Sequence, residues 1–229
     1  MNDTPANSQS GVRAAVLRKV NQVLFRGSGD YWESRYRLGG NSGDGSYGSS
    51  ADFKAAFLNS FVAEHRIGSV IEFGCGDGNQ LGLADYPVYV GLDVSATAIA
   101  RCRDQFCNDT TKSFFLYSGE SFVDRAGVFT ADLAMSLDVL YHLVEDVVFE
   151  QYLRHLFAAA RRYVVIYSSD AELRDLARHV RHRAFSTWIE ANQPGWTRVL
   201  VSDGPPDGGP ERFHVYQRSE QAEPHGAQP

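Results

Sequence analysis

Hydrophobic positions along the chain fall into two alternating kinds of run. Short apolar stretches at Ser69–Phe73, Val88–Leu92, Ser113–Tyr117, Ala131–Leu137 and Tyr163–Tyr167 show little polar alternation, as strands covered on both faces do. Between them, helical patterns are predicted over Ala51–His65, Ala96–Phe106, Phe149–Ala159 and Glu172–Glu190, the first with Phe53, Phe57, Leu58 and Phe61 on its apolar side. A further amphipathic helix is expected over Gly11–Phe25, where Val12, Val16, Val20, Val23 and Leu24 share a face suited to capping the domain or pairing with a second copy in a homodimer. The last two runs, Arg198–Ser202 and Arg212–Gln217, flank Asp-Gly-Pro-Pro-Asp-Gly-Gly-Pro and read as an antiparallel hairpin. Strands alternating with helices predict an α/β domain built on a mostly parallel seven-stranded sheet that ends in this hairpin. The core is expected over residues 51–218, with residues 11–50 as an N-terminal helix and lid, and the polar ends 1–10 and 219–229 as disordered tails.

Composition narrows the function classes. The 229 residues are 43% hydrophobic, enough for one sizeable core. A net charge of −6 opposes broad nucleic-acid binding, which needs a basic face to displace counterions from phosphates. Three cysteines without metal-ligand spacing read as reduced thiols, and no apolar stretch approaches the roughly 18 residues of a membrane span. A cytoplasmic protein that acts on neither nucleic acid nor membrane is the expectation.

The most specific motif is Val-Ile-Glu-Phe-Gly-Cys-Gly-Asp-Gly, Val70 to Gly78, followed by Asp93 at the end of the next apolar run. A strand, a glycine turn and a later acid build a nucleoside pocket at the carboxyl ends of an open α/β sheet. Dinucleotide sites need Gly-x-Gly-x-x-Gly, with the helix N-terminus receiving a pyrophosphate. Here the glycines fall at 74, 76 and 78 and an acid, Glu72, lies inside the strand. This Glu-x-Gly-x-Gly-x-Gly pattern resembles motif I of the class I S-adenosylmethionine-dependent methyltransferases. The resemblance implies a Rossmann-like fold with S-adenosyl-L-methionine as cofactor, Gly74, Gly76 and Gly78 passing beneath it, and Asp93 accepting from both ribose hydroxyls. It further places Glu72 near the cofactor ammonium, Glu120 beside the adenine in the turn after the third strand, and Arg35 against the cofactor carboxylate.

Methyl transfer to oxygen is an in-line displacement that must also remove a proton. Just beyond the fourth apolar run, Asp138-Val139-Leu140-Tyr141-His142-Leu143 offers His142 as general base, since imidazole titrates near neutrality. Asp138 either orients His142 or faces the cofactor, and Tyr141 packs on the cofactor or fills core. Asp138, His142 and Glu145, with Asp146, are also hard ligands for a magnesium ion, although acids at a helix N-terminus serve its dipole equally well. The segment Asp30–Gly48 is the candidate lid: Tyr31, Trp32, Tyr36 and Tyr47 supply faces for a sugar or the cofactor, glycines supply mobility, and nothing periodic holds it in place. Four arginines and two histidines between Arg174 and Arg183 read as a solvated helix face or a site for an anionic acceptor.

Together, Tyr-Trp-Glu-Ser-Arg-Tyr, Asn-Ser-Gly-Asp-Gly-Ser-Tyr-Gly, Glu-Phe-Gly-Cys-Gly-Asp-Gly-Asn-Gln and Asp-Val-Leu-Tyr-His-Leu-Val-Glu-Asp resemble small bacterial methyltransferases of sugar and polysaccharide assembly, most nearly the sugar 1-O-methyltransferases of methylmannose polysaccharide synthesis. The resemblance covers about Asp30 to Arg218 and implies O-methylation of a sugar or oligosaccharide hydroxyl. The rivals are a methyltransferase with a non-sugar acceptor and a non-catalytic cofactor-binding module.

Overall fold

Seven strands form one sheet in the order β3-β2-β1-β4-β5-β7-β6 in the computed structural model, which describes residues 27–173, 177–205 and 208–219. They are β1 (Val70–Phe73), β2 (Tyr89–Asp93), β3 (Lys112–Leu116), β4 (Ala131–Leu137), β5 (Ala160–Ser168), β6 (Trp196–Val201) and β7 (Arg212–Arg218). The first five pair in parallel, and β7 inserts antiparallel between β5 and β6, as the hairpin pattern predicted. The core strands are mostly apolar because helices cover both sheet faces. On one face Ile71, Phe73, Ala134, Val164 and Ile166 pack against α4 (Asp146–Ala158) and α5 (Phe185–Asn192). On the other, Val70, Leu133, Met135 and Val165 meet Leu58, Phe61 and Val62 of α2 (Gly48–Glu64) and Ile99 and Cys102 of α3 (Ala96–Gln105).

Sheet order reverses at β1, which pairs with β2 on one side and β4 on the other. Beyond the carboxyl ends of these strands neighbouring connections leave in opposite directions, so a crevice opens there. That crevice carries the site.

Three expectations need correction. The Asp30–Gly48 segment is not loosely held: α1 (Ser28–Arg37) and a 3₁₀ turn at Asp44–Ser46 are fastened to the core by polar contacts. Among the described residues, the helix predicted over Glu172–Glu190 is found from Phe185 onward, and residues 177–184 are turns and open backbone. Their polar groups bond outward instead: His179 O accepts from the His142 ring, and the Arg181 N–H donates to Tyr141 O. Ser219, expected to begin the C-terminal tail, still bonds through its N–H to Gly195 O. The Gly11–Phe25 helix and the rest of both tails lie outside the described residues. No helix among the described residues is long and apolar enough to cross a membrane.

Candidate functional site

A cleft enclosing about 940 Å³, open solvent at its mouth included, runs over the carboxyl ends of β1, β2 and β4. Its floor is the glycine turn. Gly74 and Gly76 line it at φ +83° and +59°, backbone that side chains rarely adopt. A Cβ on Gly74 would come within 2.5 Å of Val139 Cγ2, and one on Gly76 would overlap the Ser42 hydroxyl. Gly78 has the same backbone hand but lies outside the cleft wall, where a Cβ would meet Phe106 and Cys102 of the α3 packing. Its role is helix–strand packing, which corrects its assignment to the cleft.

Asp93 lies in the wall, 6% exposed, where its two oxygens accept the Gly76 N–H (2.9 Å) and the Ser95 N–H (2.8 Å). Each carboxylate oxygen retains a second acceptor position, so a vicinal diol can still be held by both. Burial pushes the Asp93 carboxyl up to about 6, against the pull of those backbone N–H groups. Glu72 is also buried in the wall and accepts from the Tyr89 hydroxyl at 2.5 Å; burial pushes it up to about 7.

His142 borders the opposite side, in a 3₁₀ turn at Leu140–His142 after β4. Its Nδ1 lies 3.0 Å from the His179 carbonyl oxygen. A carbonyl only accepts, so Nδ1 carries the proton and Nε2 keeps the lone pair. Burial pushes the imidazole down to about 4, so the ring is neutral at physiological pH. Asp138 does not orient it. At φ +59° the Asp138 carboxylate binds Lys54 Nζ through Oδ2 (2.5 Å) and accepts the Tyr141 hydroxyl on Oδ1 (3.0 Å). Lys54, 1% exposed and lining the cleft, went unnoticed in the motif reading. Its signal was present: it shares the buried stripe of α2 with Ala51, Ala55 and Leu58, where a lysine needs a partner.

The roof comes from α1 and the following loop. Trp32 and Tyr36 line the cleft, whereas Tyr31, Tyr47 and Tyr141 do not. Tyr47 donates instead to Asp77 (2.8 Å), and Tyr31 stacks on His179 with centroids 4.3 Å apart. Asp77, within the glycine turn, also accepts from the Ser42 N–H and hydroxyl. Glu33 accepts from the hydroxyls of Ser95 and Thr97 at the start of α3, and Glu145 from the N–H and hydroxyl of Ser28.

Neither protein-family models nor curated proteins match this chain. Solved structures do match in shape. The N-methyltransferase NodS from Bradyrhizobium japonicum WM9, in complex with S-adenosyl-L-homocysteine, superposes over 85% of this chain and all of its own, with a TM-score of 0.64 at 16% identity. The magnesium protoporphyrin IX methyltransferase ChlM of Synechocystis PCC 6803, with the same molecule bound, covers 88% of this chain and all of its own (TM-score 0.60, 15% identity). The methyltransferase domain of a bacterial CtHen1 covers 72% and 97% (TM-score 0.58, 22% identity). The chain has the class I methyltransferase fold.

In this methyltransferase fold three expected contacts fall elsewhere. Arg35 donates Nε to Asn41 O (2.6 Å) and lies over Trp32, outside the cleft wall. Its fork is taken up bracing the loop. Glu120 is exposed and also outside the wall; Tyr117 and Gly119 take that side of the cleft. The proposed metal ligands do not converge, because Asp138 is committed to Lys54 and Tyr141, and Glu145 to Ser28. Among the described residues no three His, Cys, Asp or Glu side chains group as a metal would need.

Proposed function

We propose that this protein is an S-adenosyl-L-methionine-dependent O-methyltransferase acting on a sugar hydroxyl, with a short mannoside of polysaccharide assembly as acceptor. The observation that carries the reading is His142, tautomer-locked with Nε2 as its only lone pair, across one cleft from the Gly74–Gly76 turn and Asp93. The residues fit the cofactor: Gly74 and Gly76 line the cleft with backbone that carries no side chain, and Asp93 is a buried carboxylate with acceptor positions to spare. Asp93 would hold the ribose, the glycine turn the methionine end, and Glu72 the ammonium. The cofactor, when bound, would supply an electrophilic methyl group, its S–C bond breaking as the O–C bond forms and the bonding pair leaving with sulfur as a neutral thioether.

His142 takes the acceptor proton as the oxygen attacks. With a pKa near 4 it does not ionise a hydroxyl beforehand; the proton moves as the O–C bond forms and the oxygen's acidity rises. Trp32 and Tyr36 offer a ring face, while Ser46 offers a polar group to a hydroxyl rim, a combination suited to sugars. Walls of Val139, Leu143 and Val148 keep water away from the reacting oxygen.

The test is methyl transfer from isotopically labelled cofactor to a panel of mannosides and glucosides, with and without chelator. His142→Ala is expected to lower turnover about a hundredfold while cofactor affinity holds. Full activity in that variant would remove His142 from the chemistry, and transfer only to non-sugar acceptors would remove the sugar.

A further inference from the structure

Residues 177–184 hold the backbone on either side of His142. Arg183, 9% exposed, donates Nη1 to Leu143 O (2.5 Å) and Nη2 to Val144 O (2.8 Å), the two carbonyls that follow the histidine. Its guanidinium also lies 4.6 Å from the Phe149 ring centroid and reaches Asp146 at 3.1 Å. Arg181 donates its N–H to Tyr141 O, the carbonyl before the histidine, and its side chain reaches Val144 O and Asp146. His179 O takes the Nδ1 proton of His142 itself. Four rings then close on one another: Tyr31 on His179, His179 on His142, His142 on Trp32, and Trp32 on Tyr31, with centroids 4.3 to 5.8 Å apart.

A 3₁₀ turn of three residues has little rigidity of its own. The carbonyls of Leu143 and Val144 sit where the turn gives way to α4, before that helix can supply partners. A rigid, planar five-donor fork is the side chain that can hold two adjacent carbonyls and a carboxylate at once; an ammonium cannot keep that geometry. We propose that Arg183 is a positioning residue for the methyl-transfer reaction: by holding Leu143 O and Val144 O it keeps the 140–144 turn in register, so that the His142 ring meets the His179 carbonyl and presents Nε2 to the cleft. Arg181 braces the same turn from its other side. The inference rests on the reading of His142 as the general base.

The test compares wild type, Arg183→Gln and Arg183→Lys in the full chain. Steady-state kinetics are measured with whichever acceptor the panel identifies, and ¹⁵N NMR reads the His142 tautomer and titration, with His142→Ala used to assign its signals. The titratable and charged groups near the ring are His179, Tyr141 beside it in the turn, Asp138 just after β4 and Arg35 from α1, and all are kept in both variants. In Arg183→Gln, kcat should fall at least about tenfold while the KM for cofactor stays within about twofold, since a displaced base costs turnover and not cofactor binding. The His142 signals should show a mixture of tautomers, titrating nearer the ordinary value of about 6.5. Arg183→Lys should lie between, and it carries the test if the glutamine variant does not fold. A folded variant with the wild-type tautomer, titration and kcat overturns the proposal, even if it melts earlier. If His142→Ala retains full activity, the base reading fails separately, while the NMR comparison still decides whether Arg183 holds the ring.

Discussion

Replacing Lys54 by methionine removes the cation from a pair in which the lysine is 1% and the aspartate side chain 14% exposed. Methionine fills nearly the same volume, so the chief cost is the Asp138 carboxylate left with one hydroxyl partner, Tyr141, in a mostly apolar wall. Breaking a buried pair by deleting one partner costs about 3–5 kcal/mol. Because Asp138 borders the cleft and water can reach it, the lower end applies, and we expect a loss of about 3 kcal/mol. Lys54→Met/Asp138→Asn, which leaves no unpaired charge, should recover at least about half. The assay is urea unfolding at neutral pH for the four members of the cycle, at low and high salt. A buried pair is screened little, so the coupling should hardly change with salt. A loss below about 1 kcal/mol, or a coupling that vanishes in salt, would refute the description of Lys54 as a buried ion-pair partner.

Gly76→Ala puts a side chain at φ +59° beneath Ser42 and 3.1 Å from the Tyr36 hydroxyl; unfolding should show a loss of about 2 kcal/mol, whereas Gly29→Ala, with nothing within 4 Å, should be neutral. Asp93→Ala should weaken cofactor binding in calorimetry by more than about tenfold while leaving the fold in place, and unchanged affinity would take Asp93 off the ribose. His214 is buried with neither ring nitrogen partnered, and burial pushes it down to about 4. The folded state therefore keeps it neutral. Its contribution is complete above the unfolded value of about 6.5 and is lost at up to about 1.4 kcal/mol per pH unit as pH falls toward 4, where the folded ring also takes a proton. His214→Phe should lose that slope relative to wild type in unfolding measurements from pH 8 to 4, and parallel curves would show that His214 does not titrate differently on folding.

Much of the fold was legible because it depends on patterns within single segments. β4 was expected at Ala131–Leu137 and is found there, since a strand covered on both faces is apolar at most of its positions. The glycine turn was legible because three positive φ angles in five residues demand glycine. The clamp at residues 177–184 was not. Read alone, Arg181 and Arg183 look like a solvated helix face, and their partners are carbonyls about 40 positions earlier whose availability no periodicity records. The lid fared similarly: its aromatic residues were conspicuous, but Ser28, Glu33 and Ser42, which fasten it to Glu145, Ser95 and Asp77, are ordinary polar residues.

Sequence alone therefore determined the seven-stranded α/β architecture, the glycine floor with Asp93, and the position of His142 after β4. All of these follow from local steric and burial rules acting over a few residues. Only the tertiary structure decided which oxygens and nitrogens were already spent: Asp138 on Lys54, Arg35 on Asn41, Glu145 on Ser28, and Nδ1 of His142 on a carbonyl. Apart from Arg35 and Asn41, six positions apart in an exposed loop, each partner belongs to a distant segment that the folded chain brings within about 3 Å, and burial makes such a bond obligatory.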